Sequence, residues 1–162
     1  MEATIYHHAA CSKSRDVLRV IEASGYTPRI VKYVETGWDR AQLAALLDAA
    51  GLTPSQALRR VRGPAKDMGL LEDGVTDAEI FEAMLARPIL VERPIVTTNR
   101  GTRLCRPVSL VLDLLSSWPD APFAKLNGHM LIDAQGLPFR ARDHLGAGKL
   151  CRSPCHLSDG CT

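Results

Sequence analysis

The chain has 162 residues and a mass of 17.7 kDa, a size at which one domain buries a continuous core without disulfide support. Its 20 Lys and Arg against 18 Asp and Glu leave a formal charge of +2 and a pI near 8.3, too even a balance for nucleic-acid binding driven by bulk charge. No basic-then-apolar leader opens the chain and no apolar run approaches the roughly 18 residues of a membrane span, so a cytoplasmic protein is expected, with neither nucleic acid nor membrane as partner.

Ala3 to Tyr6 reads as a short strand, and Ser12 to Ser24 as a helix with Val17, Leu18 and Ile21 on one face and Gly25 closing it. Arg29 to Val34 supplies a second strand through Ile30 and Val31. Asp39 with Gln42 marks a capping box, and Leu43, Leu46, Leu47 and Ala50 line the helix it opens until Gly51. Pro54 to Arg60 predicts a short helix. Thr76 with Glu79 caps another, which buries Ile80, Phe81, Met84 and Leu85 and ends before Pro88. Pro94 to Thr98 and Thr102 to Arg106 form a hairpin turned at Gly101, after which Pro107 opens a last helix striped by Val108, Val111, Leu112 and Leu115.

The order is βαβ, a helical insert, then ββα. That is the thioredoxin-like α/β arrangement with an all-helical insertion between its halves. The expected division is a domain over residues 1–117, with the insert at about 39–87, and a C-terminal extension over 118–162. Beyond Trp118, Pro, Gly and polar residues break the periodicity, and from Gly146 the chain reads as a tail.

The chemistry starts at Cys11. A thiol placed where a strand ends and a helix begins meets unpaired backbone N–H groups and the positive end of the helix dipole, which favour thiolate and bind oxyanions alike. Ser14 stands where a C-x-x-C motif carries its second cysteine, so an oxidised Cys11 needs a thiol from elsewhere. The stretch from Cys11 to Arg15 is too short for the phosphate loop of tyrosine phosphatases. His7 falls at the strand's end, within reach of the thiolate or of a bound oxygen, whereas His8 is expected to face solvent. Arg15, in the first turn, opposes the dipole and points to anion binding. Arg59, Arg93 and Arg106 stand at segment edges, the last two directly before prolines. Together they suit a tetrahedral oxyanion gripped by planar, charge-assisted forks, with a cis peptide expected at Arg93–Pro94.

The stretches IYHHAACSKSR (5–15), RPIV (93–96) and GTRLCRP (101–107), in that order, resemble the glutaredoxin-linked arsenate reductase family of the thioredoxin-like superfamily, over about residues 3–117. The resemblance implies reduction of arsenate to arsenite through a covalent cysteine–arsenic intermediate. Cys11 would be the nucleophile, His7 would assist its thiolate, and Arg59, Arg93 and Arg106 would hold arsenate and its reduced intermediate. Glutathione would be co-substrate and glutaredoxin the protein partner, with no tightly bound cofactor. Where the family commonly carries Asn-Pro after the histidine, this chain has His8 and Ala9.

Two other functions fit a thioredoxin-like chain with one N-terminal cysteine: a regulator that binds the transcription machinery, and a general thiol-disulfide oxidoreductase. Cys105 reads as packed and inert. Cys151, Cys155, His156 and Cys161 allow three readings, an unstructured tail, a thiol that resolves Cys11 and couples the protein to thioredoxin, or a zinc site.

Overall fold

Burial alternates along the first strand, and that alternation sets the architecture. In β1 (Glu2–Tyr6) Ala3 and Ile5 are buried on one side while Tyr6 packs on the other, the period-2 pattern of a strand covered on both faces. The computed structural model describes residues 1–139. β1 runs parallel to β2 (Thr27–Val31), reached through α1 (Ser12–Ala23), and antiparallel to β3 (Ile95–Thr98). β3 turns into β4 (Gly101–Leu104), giving the sheet order β2-β1-β3-β4. Gly101 makes that tight turn with φ +129°, a conformation costly to residues with a Cβ. This is the mixed α/β, thioredoxin-like order expected from the sequence.

Each sheet face has its own core. On one side Val17, Val20 and Ile21 of α1 meet Ala3, Ile5 and Val96, together with Val108, Val111 and Leu112. A second hairpin, β5 (Phe123–Ala124) with β6 (Met130–Ile132), lays Leu131 and Ile132 into this same core. The buried Asp16 carboxylate ties it down by accepting the Leu126 N–H at 2.7 Å. The other face is covered by α2 (Tyr33–Thr36) and by the insert's α3 (Arg40–Ala49), α4 (Pro54–Ala57) and α5 (Asp77–Ala86), whose Leu43, Leu46, Leu47, Ile80 and Met84 pack with Leu90 and Ile95.

Local signals explain most helix ends. Thr76 and Glu79 form a complete capping box, each side chain bonding the other's backbone N–H. Asp39 accepts from the N–H groups of Ala41 and Gln42, without the reciprocal bond from Gln42. Thr76→Ala is expected to destabilise the protein by about 1 kcal/mol, and Thr76→Ser by much less. A urea denaturation midpoint that fails to move for the alanine variant would remove this cap from the account.

Three elements differ from expectation. The second strand starts and ends earlier, at Thr27–Val31, and Val34 lies in the turn of α2. Pro28 is tolerated because β2 is an edge strand, and Tyr33 leaves the strand to bury its ring and donate to the Val91 carbonyl at 2.9 Å. The helix expected over Pro54–Arg60 stops at Ala57, because Leu58 pairs with Val91 in an isolated antiparallel bridge and Arg59 donates its N–H to Leu90. The last helix is a 3-10 segment, Val108–Leu114, with Pro107 just outside it. There Thr98 Oγ1 and Trp118 Nε1 take the carbonyls of Leu114 and Leu112, and apolar residues three apart suit the 3-10 period.

Candidate functional site

Cys11 is the N-cap of α1, with extended backbone (φ −90°, ψ 117°). The loop before it is closed by its own N–H, which donates to His8 O at 2.9 Å, and by Arg15 Nη1, which donates to Ala9 O at 2.7 Å. No carboxylate lies in the first turn to oppose the positive helix end. Burial pushes the Cys11 thiol up, but the N–H groups of Ser14 and Lys13, the Ser14 hydroxyl and the Arg93 charge more than offset it, so the group ionises below its ordinary range. The sulfur is held in no strict cap hydrogen bond. The donors act by facing it, as they do toward any anion at a helix start.

His7 ends β1 and is only 6% exposed. Its backbone N–H donates to Val31 O at 2.9 Å, while its Nδ1 is buried and makes no hydrogen bond among the described residues. Burial, followed by the charges of His8 and other neighbouring groups, holds its pKa below the usual histidine value. Both effects favour the neutral form of the ring, against a smaller opposing contribution from the Ser14 backbone.

Arg93 is 3% exposed. Its Nη1 donates to Ile89 O at 3.0 Å, and its Nε has no hydrogen-bond partner among the described residues. A buried guanidinium with an unpaired donor is costly unless an anion reaches it. The bridge of Leu58 with Val91, bracketed by Arg59 N–H to Leu90 O and Glu92 N–H to Ala57 O, brings Arg59 beside the Arg93 segment. Arg59 Nε is turned back onto Val61 O at 3.0 Å. Arg106 pairs with Glu92 at 2.9 Å. The peptides Arg93–Pro94 and Arg106–Pro107 are both cis, the second of them unanticipated.

These groups meet in one open cleft of about 560 Å3, lined by Cys11, Arg59, Arg93 and Arg106 together with His8 and Arg62. Four of those six residues are arginines, and among the described residues no carboxylate lines the cleft. His7 and Arg15 are not among its lining residues: His7 lies buried behind the loop, and Arg15 Nη1 donates to the Ala9 carbonyl. In this structure the contact that Arg15 makes is the one that closes the loop. His8, expected in solvent, faces the cleft instead, because the loop turns back at its carbonyl to reach Cys11 N–H.

Sequence reasoning also missed Arg62, the Ser14 hydroxyl and Glu92. Ser14 was legible in principle, since a serine three residues into a helix that starts at a cysteine places its N–H and hydroxyl at the sulfur. Cys105 is fully buried, and burial pushes its thiol far up. Cys151, Cys155, His156 and Cys161 lie outside the described residues. Among the described residues no group of three or more metal-ligating side chains occurs, and no helix is long and apolar enough to cross a membrane.

A low-pKa thiol at a helix start, set in an arginine-lined cleft on a thioredoxin-like sheet, defines a class of thiol-dependent oxyanion-handling proteins. The ArsC family model matches residues 6–114, and the chain belongs to the ArsC family. It is 54% identical over 132 residues to arsenate reductase ArsI2 of Synechocystis sp., which spans 82% of this chain and 94% of that protein. It is 41% identical over 133 residues to arsenate reductase of Escherichia coli strain K12, covering 82% and 94% of the two chains. Among solved structures, arsenate reductase from Vibrio cholerae superposes with a TM-score of 0.65 at 36% identity, over 71% of this chain and 98% of that one.

Proposed function

We propose that the chain is an arsenate reductase in which Cys11 is the nucleophile and Arg59, Arg93 and Arg106 hold the oxyanion. One observation carries this reading: the acidified thiol and the three arginines line a single cleft that, among the described residues, no carboxylate lines. The arginines offset the charge of arsenate, and Cys11 sulfur attacks arsenic(V). An S–As bond forms, an As–O bond breaks and water leaves, with arsenic still pentavalent.

Ser14 offers no second thiol, so the next sulfur comes from solution. Glutathione adds to the arsenic and a second water leaves. A glutaredoxin thiol then attacks the glutathione sulfur. The S–As bond to glutathione breaks, its electron pair stays on arsenic as arsenic(III), and the two sulfurs are oxidised to the glutaredoxin–glutathione disulfide. Water finally hydrolyses the remaining S–As bond, releasing arsenite and the Cys11 thiol. The electrons come from thiols, and no resident cofactor enters the balance. Glutathione and glutaredoxin poise the cytoplasm, which is where such a reaction belongs.

His7 serves as a positioning residue, its ring buried behind the loop that presents Cys11. His8 and Ala9, in place of Asn-Pro, leave the loop closed by the bonds to His8 O and Ala9 O.

The test is NADPH consumption with glutathione, glutaredoxin and glutathione reductase. Consumption that depends on arsenate is expected. Consumption without arsenate would favour a general thiol-disulfide oxidoreductase, and none at all would favour a regulator that binds the transcription machinery. Protein truncated after Leu145 is expected to keep the glutaredoxin-dependent rate. Its loss would assign Cys151, Cys155 or Cys161 a resolving role and open the route to thioredoxin.

A further inference from the structure

Arg62 combines three features that the reaction so far leaves unused. It lines the same cleft as Cys11. It is the only non-glycine residue with positive φ among the described residues, at +54°. It also has no hydrogen-bonding or ionic partner among them, whereas Arg59 is bonded to Val61 O, Arg93 to Ile89 O and Arg106 to Glu92. The flanking chain is built close around Arg59: a Cβ added at Gly63 would stand 3.3 Å from Arg59 Cδ. A left-handed residue is costly for a side chain with a Cβ, and such strain persists where the surroundings or the function impose it.

Resting on the proposed arsenate reduction, we infer that Arg62 binds the glycyl carboxylate of glutathione and guides this thiol to the arsenic adduct on Cys11. The size of the site supports a second reactant. A cleft of about 560 Å3 falls within the roughly 300–1,000 Å3 that holds a drug-sized ligand, so an oxyanion of five heavy atoms leaves room beside it. Charge selects which end of the thiol is read. In glutathione the γ-glutamyl carboxylate sits beside its own ammonium, while the glycyl carboxylate carries an uncompensated charge. An unpaired guanidinium is the matching group, through a charge-assisted fork.

The experiment is steady-state kinetics of the full chain with glutathione and with its glycyl monoethyl ester, in the arsenate-dependent coupled assay. Two variants are compared with wild type: Arg62→Gln, and Arg62→Gly, which suits the positive φ and so protects the fold. KM for glutathione is expected to rise roughly three- to tenfold in both, as for a partly exposed charge-assisted pair, while KM for arsenate moves less than twofold. The ester should be a poorer substrate than glutathione for wild type and an equal one for the variants. If KM for glutathione stays put, or if KM for arsenate rises instead, the assignment of Arg62 to the thiol is overturned. If wild type itself shows no arsenate-dependent turnover, the underlying reading fails as well.

Discussion

Cys11→Ser protein is expected to lose arsenate-dependent turnover by at least about 10^3-fold, the scale on which removal of a nucleophile acts, while still binding arsenate. The substitution changes one atom. Sulfur at this helix start is acidified by the Ser14 and Lys13 N–H groups, the Ser14 hydroxyl and Arg93 against the opposing effect of burial, whereas a serine hydroxyl in the same place stays protonated at pH 7. The groups that would hold the anion are untouched, because Arg59, Arg93 and Arg106 are fixed by Val61 O, Ile89 O and Glu92 and not by the sulfur. The check is the coupled assay run beside a calorimetric titration with arsenate. Turnover above about one per cent of wild type would remove Cys11 from the nucleophile's role.

Arg93→Ala is expected to lower kcat/KM for arsenate by about 10^2- to 10^3-fold, the range seen when a preorganised donor is removed from a site where charge develops. Two effects combine. Arg93 is buried, with an Nε that bonds nothing among the described residues, so its charge acts on a bound oxyanion at low screening. It is also one of the causes that lower the Cys11 pKa, and its removal should carry the thiol back toward its ordinary value. Arg93→Lys keeps the charge without the planar fork and should fall between the two. Circular dichroism melting separates lost catalysis from lost structure. A folded Arg93→Ala variant with kcat/KM within fivefold of wild type would place the oxyanion elsewhere.

How much of this was readable in the residues depends on the range of the contacts. The strand that delivers His7, the helix that starts at Cys11 and the Gly25 stop are all local, and the sequence pattern was sufficient for them. The same holds for the Thr76 and Glu79 cap. Arg93 and Arg106 were legible through the prolines that follow them.

Long-range pairing was not legible. Leu58 against Val91 is a two-residue bridge across more than thirty positions, and with its flanking backbone bonds it takes Arg59 out of the helix and beside the Arg93 segment. Arg62 was not legible as a cleft residue, since its positive φ and its place beside Cys11 appear only in the folded chain. The Glu92 pairing of Arg106 joins two segments whose approach is set by β3 and β4. The lowered pKa of His7 was only partly legible, because its largest cause is burial in the fold, while the second, the charge of His8, comes from the next residue in sequence.

The central claim is that Cys11 ionises more readily than an ordinary thiol, and the pH dependence of its alkylation by iodoacetamide, followed peptide by peptide by mass spectrometry, tests it most directly. Only the thiolate reacts, so the rate rises with pH through the pKa, and a lowered pKa moves that rise to lower pH. The expected result is an inflection for Cys11 below the ordinary thiol value of about 8.5, shifted upward in Arg93→Ala, with Cys105 unreactive because it is buried. An inflection for Cys11 at or above the ordinary value would contradict the account.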